Sequence, residues 1–344
     1  SVYTPAYLER TYLASHPELT DAARELVHND ISANPQKYAQ SEHAQALLSY
    51  AGVHRHLLDE LHRIEDMGSD EEFEQTRNRL FDDMRDELLK IVRVDALTVD
   101  AQLLAIILAD TPVDACLGDL MKLEATTADY LQQSVPGFDM EAPHYWANKV
   151  LTDGVTAADL TVSEPALIGW LHTLEAISQL CMASARYRAA ANYSRRVLKA
   201  EGYPTRATGT VLLALARLED EDGFFALAHQ LEEQMGADTL ENSPWYLLAR
   251  TILLFKTNKM RPATRALREF ANRCEGGAFF LLNPMYQTPY LPCRPEPHDP
   301  WDLSHQAVWE ADGIISDTPD FAPWASACED VSQLAQEFAR RYGF

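Results

Sequence analysis

The sequence has no apolar run long enough to cross a bilayer: its longest, residues 103–109, is seven residues, against the roughly 20 that a membrane helix needs. It begins at Ser1, with no charged-then-apolar segment at its start, so the expectation is a soluble, cytoplasmic protein. Cysteine is scarce and spaced against pairing. The five, Cys116, Cys181, Cys274, Cys293 and Cys328, lie far apart and form no C-x-x-C pair, which fits reduced, mostly buried thiols rather than a disulfide framework. Basic residues are in deficit as well, with 29 Lys and Arg against 52 Asp and Glu, for a net charge of -23 over 344 residues. That balance repels phosphate backbones and anionic headgroups, which argues against nucleic acid and membrane as partners. It suits a protein or peptide partner carrying basic residues.

The motifs of common chemistry are missing too. There is no G-x-x-x-x-G-K-[ST], no G-x-G-x-x-G, no G-x-S-x-G and no H-E-x-x-H, and so no phosphate cradle, dinucleotide fingerprint or hydrolase elbow. No catalytic residue, metal site or cofactor is assigned. Acid-x-x-His pairs do occur at Glu25/His28, Asp59/His62, Glu141/His144 and Asp302/His305. This spacing puts a carboxylate and an imidazole on one helix face, as di-iron bundles do. A metal-dependent enzyme using Glu25, His28, Asp59 and His62 of the N-terminal helices is therefore the alternative function. It ranks second, because this composition generates one or two such pairs by chance and no bridging carboxylates are identified. Cys274, Cys293 and His298 match no established zinc spacing.

Alternating strand patterns are also absent, and what is present is helical periodicity. Residues 42–65 place Ala46, Leu47, Tyr50, Val53, Leu57, Leu61 and Ile64 at three- and four-residue steps, one apolar stripe on a helix. Residues 70–92 repeat this with Phe73, Leu80, Phe81, Met84, Leu88 and Ile91, behind an N-terminus marked by Ser69 and the acids after it. Two further helices are expected over 99–110 and 112–134, closed by Pro136-Gly137. Residues 136–165 read as an irregular connector with a small helix around 143–151.

From residue 166 the pattern becomes self-similar. Leu174-x-x-Ile177-Ser178 is followed by Arg186-Tyr187-x-x-Ala190 and Val197-Leu198. Leu212-x-x-Leu215-Ala216 is followed by Gly223-Phe224-Phe225-x-x-Ala228 and Leu231. Trp245-x-x-Leu248-Ala249 is followed by Met260-x-x-Ala263, Leu267 and Phe270. Each unit is a helix A, a turn and a helix B. Small residues at Ser178, Ala216 and Ala249, and at Ala190, Ala228 and Ala263, let paired helices approach, and the large neighbours are expected in the core. Stacking such pairs buries the side each leaves uncovered and builds a superhelix with a concave face.

These units resemble tetratricopeptide repeats, in degenerate form, over 166–273; the steps from Tyr187 to Phe225 and on to Met260 are uneven. The resemblance implies an all-α, right-handed helical-pair solenoid, and a non-catalytic scaffold or adaptor that binds a protein or peptide on the concave face lined by the A helices. The candidate ligand-binding residues on those helices are His172, Glu175, Gln179, Thr210, Arg217, Tyr246 and Arg250. Residues 279–301 hold six prolines and are expected to run as an extended strap. Helices over 302–315 and 330–342, the latter with Val331, Leu334, Phe338 and Tyr342 inward, are expected to cap the solenoid. The expected organisation is an N-terminal helical region at 1–94, a hairpin and connector at 95–165, repeats at 166–273, and strap plus caps at 274–344.

Overall fold

The structure, a computed structural model, describes residues 3–64, 69–144, 164–200, 202–203, 205–287 and 297–344. The described residues are helical throughout apart from turns and connections, with no β-ladder, and the chain is therefore all-α. Two compact units emerge, one of residues 1–174 with 199–204 and the other of 175–198 with 205–344. The division falls inside one helix, Pro165–Ala183.

The first unit contains α1 Thr4–Ser15, α2 Asp21–Ile31, α3 Pro35–Tyr38, α4 Glu42–Ile64, α5 Asp70–Val94, α6 Val99–Ile107, α7 Val113–Ser134 and the start of α8 Pro165–Ala183. Helix α1 packs on α2, α3 and α4, and from α4 to α7 each helix packs on the next. The stripe on α4 buries Ala46, Leu47, Tyr50, Leu57 and Ile64, and α5 answers with Met84, Leu88 and Ile91. Ser69 caps α5 by accepting from the Glu72 amide at 3.4 Å, and Thr20 does the same for α2, each satisfying an amide that a helix start leaves unpaired. The small helix expected around 143–151 lies outside the described residues.

The second unit contains the rest of α8, then α9 Tyr187–Leu198, α10 Ala207–Arg217, α11 Glu221–Met235, α12 Ala237–Glu241, α13 Pro244–Lys256 and α14 Met260–Arg273. After them come α15 Gly277–Leu282, α16 Asp302–Ser316, α17 Phe321–Ser326 and α18 Glu329–Tyr342. Three helix pairs, α8/α9, α10/α11 and α13/α14, are closed by one and the same turn. Ala185, Glu219 and Asn258 each take positive φ, near 60°. The residue after each donates its amide five residues back: Arg186 to Cys181 O at 2.7 Å, Asp220 to Leu215 O at 3.1 Å, and Lys259 to Leu254 O at 2.8 Å. This is the Schellman closure, which satisfies the carbonyls a helix end leaves free and usually employs glycine. None of the three is glycine, so each holds a left-handed conformation that costs an L-residue about 1–2 kcal/mol. Ala185→Gly and Glu219→Gly are each expected to stabilise the chain by about 0.5–1 kcal/mol, read as a higher urea midpoint at unchanged m-value.

The turns also correct the repeat register. Counted from them, Phe224 occupies the position held by Ala190 and Ala263, and all three are fully buried. Phe225, expected in the core, is 40% exposed, and Met260 is 37% exposed. The aromatic-x-x-Ala pattern thus sits one helical turn late in the second pair. The strap is corrected in part: residues 277–282 form α15 and 284–286 a 3-10 turn, with Phe279, Phe280 and Leu281 buried. That run is apolar enough to earn a helix of its own before the prolines begin, and residues 288–296 lie outside the described residues. On α18, Val331, Ala335 and Phe338 are buried while Tyr342 is 38% exposed, because the helix ends there at the left-handed Gly343.

Candidate functional site

In the second unit α10 packs against both α9 and α13, and α16 packs against both α10 and α13. The side chains show how α16 is seated. Arg206 donates to Gln306, Thr210 donates to Glu310, and Arg217 Nη2 donates to Asp317 Oδ2 at 3.2 Å, each pair separated by 100 residues. A constant offset over three helical turns means that α16 runs parallel to α10 and in register with it. Trp245 Nε1, from α13, donates to the other oxygen of Glu310 at 2.9 Å. Helix α10 meets that indole backbone-on, since a Cβ added at Gly209 would lie 2.3 Å from the ring.

Helix α16 buries several polar side chains: Ser304, Gln306 and Glu310, and also His305, whose ring meets Phe280 of α15 at 4.5 Å. Burial pushes the His305 imidazole below its usual pKa. Asp317 at the end of α16 also meets the Tyr187 hydroxyl at 3.5 Å, and Arg217 lies over the Tyr187 ring at 5.2 Å.

Five of the six candidate ligand residues of this unit are therefore engaged by the chain itself. Thr210 is buried beneath α16, and Tyr246 is buried and stacked on Phe224 at 5.9 Å. Arg217 and Arg250 are half-exposed, with Arg250 over Tyr246 at 5.3 Å and paired with Glu269. Glu175 accepts from Thr205, and Gln179 is half-buried. Thr210 and Arg217 share the α16 contact, and Tyr246 and Arg250 form a separate pair on α13.

His172 belongs to the first unit and to a different cluster. Its Nδ1 lies 2.8 Å from Oδ1 of the buried Asp100, and Tyr3 donates its hydroxyl to Oδ2 of the same carboxylate at 2.7 Å. Burial works to raise the Asp100 pKa, but the attraction and hydrogen bond of His172, joined by the Tyr3 hydroxyl, outweigh it and hold the group down to about 2. Burial and the Asp100 charge both push the Tyr3 phenol well up, and burial pushes the His54 imidazole down. Nearby in the same unit, Trp170 Nε1 donates to the buried Glu124 at 2.9 Å.

Sequence reasoning missed Asp100, Glu124 and Glu310. The signal was present: Asp100 precedes Leu103 and Leu104, and Glu310 follows Ala307 and precedes Ile314, which are spacings that put each acid on its helix's apolar face.

Among the acid–His residues, His28 Nδ1 lies 3.0 Å from Glu9, while Glu25, His28, Asp59 and His62 are exposed. Among the described residues no group of three or more His, Cys, Asp or Glu is arranged to hold a metal ion. Two surface concavities, one lined by Met260, Arg261, Thr264, Arg265 and Arg268 and the other by Gln36, Ala39, Gln45, Leu48 and Ser49, gather no carboxylates or imidazoles. Of the described cysteines, Cys181 and Cys274 are buried and Cys116 and Cys328 half-buried, all as free thiols. Burial pushes Cys274 up to about 12, which leaves almost no thiolate at neutral pH. Among the described residues no helix is long and apolar enough to cross a membrane. No protein-family model matches the chain, and no curated protein and no solved structure matches it either.

Proposed function

We propose that the chain is a non-catalytic scaffold that binds a protein or peptide on the A-helix face of a right-handed, TPR-like helical-pair solenoid, in the cytoplasm. The observation that carries this is the seating of α16: α10 and α13 lie side by side and receive a third helix along their length. A surface that holds one amphipathic helix has the form used by helix-in-groove recognition. Three identically closed turns and the buried small residues Ser178, Ala190, Ala216, Ala249 and Ala263 support the repeat architecture behind it. Widely spaced cysteines with no C-x-x-C pair suit a reducing compartment.

The test is selection of peptides from a random library on the full chain, followed by anisotropy titration of those recovered. Binding is expected, and Arg217→Glu or Arg250→Glu is expected to weaken it by about tenfold or more, about 1.4 kcal/mol. Failure to enrich any peptide, or binding indifferent to substitutions on α8, α10 and α13, overturns the proposal.

A further inference from the structure

The exposed face of α14 carries charge of the sign this chain has least of. Residues 259–273 hold five bases, Lys259, Arg261, Arg265, Arg268 and Arg273, against one acid, Glu269, in a chain with 52 acids to 29 bases. Arg261, Arg265 and Arg268 fall at i, i+4 and i+7, and with Met260 and Thr264 they line a surface concavity, so they form one row on one face of the helix. All three are exposed. The other charges of the segment are engaged by neighbours: Lys259 pairs with Glu221, Arg273 with Glu241 at 3.2 Å, and Glu269 with Arg250. Arg268 meets Asp330, in the first turn of α18, at 2.6 Å. Among the described residues, Arg261 and Arg265 have neither an ion pair nor a side-chain hydrogen bond. The arrangement works against the helix twice. Like charges four residues apart repel along a helix face, and Arg261 sits in the first turn, where the helix dipole disfavours a cation and no acid offsets it. An anion laid along the row would relieve both.

We infer that this face of α14 is a docking surface separate from the A-helix face, and that its occupant is an acidic segment of a partner protein presenting carboxylates about one helical turn apart. Asp330 shows the chemistry of the fit. A carboxylate from outside α14 already occupies the last arginine of the row, and the two before it stand open to further acids. Arg261 and Arg268 are seven residues apart in sequence, about 10 Å along the axis, which makes the row a line and not a cup. A line suits successive carboxylates, whereas a single phosphate is gripped from several sides. Pro262, in the first turn, also removes one of the amide donors that a phosphate at a helix N-terminus would use. A long polyphosphate would run beyond the row onto a chain whose net charge is -23, and two copies of the chain repel each other for the same reason. A short acidic segment avoids that repulsion, because at physiological salt charges beyond about 8 Å are largely screened. Met260, 37% exposed at the head of the row, adds an adaptable apolar contact beside the charges. Binding led by exposed charges is modest in strength and sensitive to salt.

The test uses the full chain, with a fluorescein-labelled, alanine-rich peptide carrying glutamates at i, i+4 and i+7 as the probe, read by anisotropy at about 0.1 M salt. Saturable binding is expected, weakening by about tenfold or more when salt is raised to about 1 M, where charges beyond about 3 Å are screened. Arg261→Glu together with Arg265→Glu is expected to weaken it by about tenfold or more. Arg55→Glu together with Arg79→Glu makes the same change of net charge on exposed arginines of the first unit, and is expected to leave binding within about twofold. Should the charge reversal on α14 disturb folding, Arg261→Gln together with Arg265→Gln replaces it, with an expected loss of about threefold or more. Failure of the unmodified chain to bind the peptide overturns the inference, as do equal losses from the two arginine pairs, or equal binding of a peptide with glutamine at every glutamate. Tighter binding of a peptide whose one anion is a phosphoserine, or of a DNA duplex, overturns the carboxylate assignment. A dimer of the unmodified chain that Arg261→Glu with Arg265→Glu abolishes gives the face to a second copy and overturns the partner-protein assignment.

Discussion

Asp100→Ala is expected to lower the unfolding free energy by about 3–5 kcal/mol, the loss of two hydrogen bonds to a buried charged acceptor at about 1.5–3 kcal/mol each. The carboxylate is 3% exposed and is approached by His172 at 2.8 Å and Tyr3 at 2.7 Å. Without it, the buried phenol and the part-exposed imidazole both lose this carboxylate as a partner. Asp100→Asn retains an acceptor for one of them and is expected to cost less, about 1–3 kcal/mol. The same site sets a pH dependence whose sign is fixed by the direction of its shift. Asp100 is held down to about 2 from an ordinary value of 3.8, so the folded chain keeps the carboxylate ionised more readily than the unfolded one. Its contribution, about 2 kcal/mol at 1.36 kcal/mol per pKa unit, is fully present above pH ~4 and is lost as pH falls toward ~2. Urea titrations of the unmodified chain and Asp100→Asn at pH 7 and pH 3 check this: the difference between the two proteins should shrink at the lower pH. A difference that does not change with pH would refute the assignment.

Asp100 also illustrates where sequence periodicity stops. The stripes on α4 and α5 were legible because their buried positions are apolar and recur every three or four residues, and Ser69 marked the start of α5 because its side chain has a defined cap to make. Periodicity cannot say that an acid on an apolar face will find a tyrosine and a histidine from segments far away in sequence. The register of the second helix pair failed for a different reason. Phe224 and Phe225 are adjacent, either suits an aromatic position, and the residue that decides between them is the left-handed Glu219. A glycine there would have announced the turn; Ala185, Glu219 and Asn258 do not. The candidate binding residues were chosen as exposed members of the A helices, and Thr210 is covered because α16 turns Glu310 inward onto it. A polar inward face reads as solvent-exposed in any one-dimensional pattern.

Trp245→Ala is expected to destabilise the second unit by about 3–5 kcal/mol, the usual range for removing a buried large aromatic. The ring is 6% exposed, takes the backbone of α10 at Gly209 on one side and donates to Glu310 with its indole nitrogen. Packing and hydrogen bonding can be separated. Trp245→Phe keeps most of the apolar surface but withdraws the N–H, leaving one oxygen of a buried carboxylate without that donor, at a cost of about 1–3 kcal/mol. Glu310→Leu removes the carboxylate and strands the Thr210 hydroxyl and the indole N–H instead. Because each single substitution orphans the partner of the other, the double variant is expected to cost less than the two singles together, with a coupling of about 1–3 kcal/mol. Chemical denaturation of the four proteins measures that coupling. Where the loss appears distinguishes a contact local to α16 from one that serves the whole unit. If Glu310 holds α16 on the α10–α13 face, Trp245→Phe should accelerate exchange of the α16 amides while the α14 amides, on the pair that carries the tryptophan, keep their protection. Equal acceleration of both would make Trp245 an ordinary core residue whose hydrogen bond serves the whole unit.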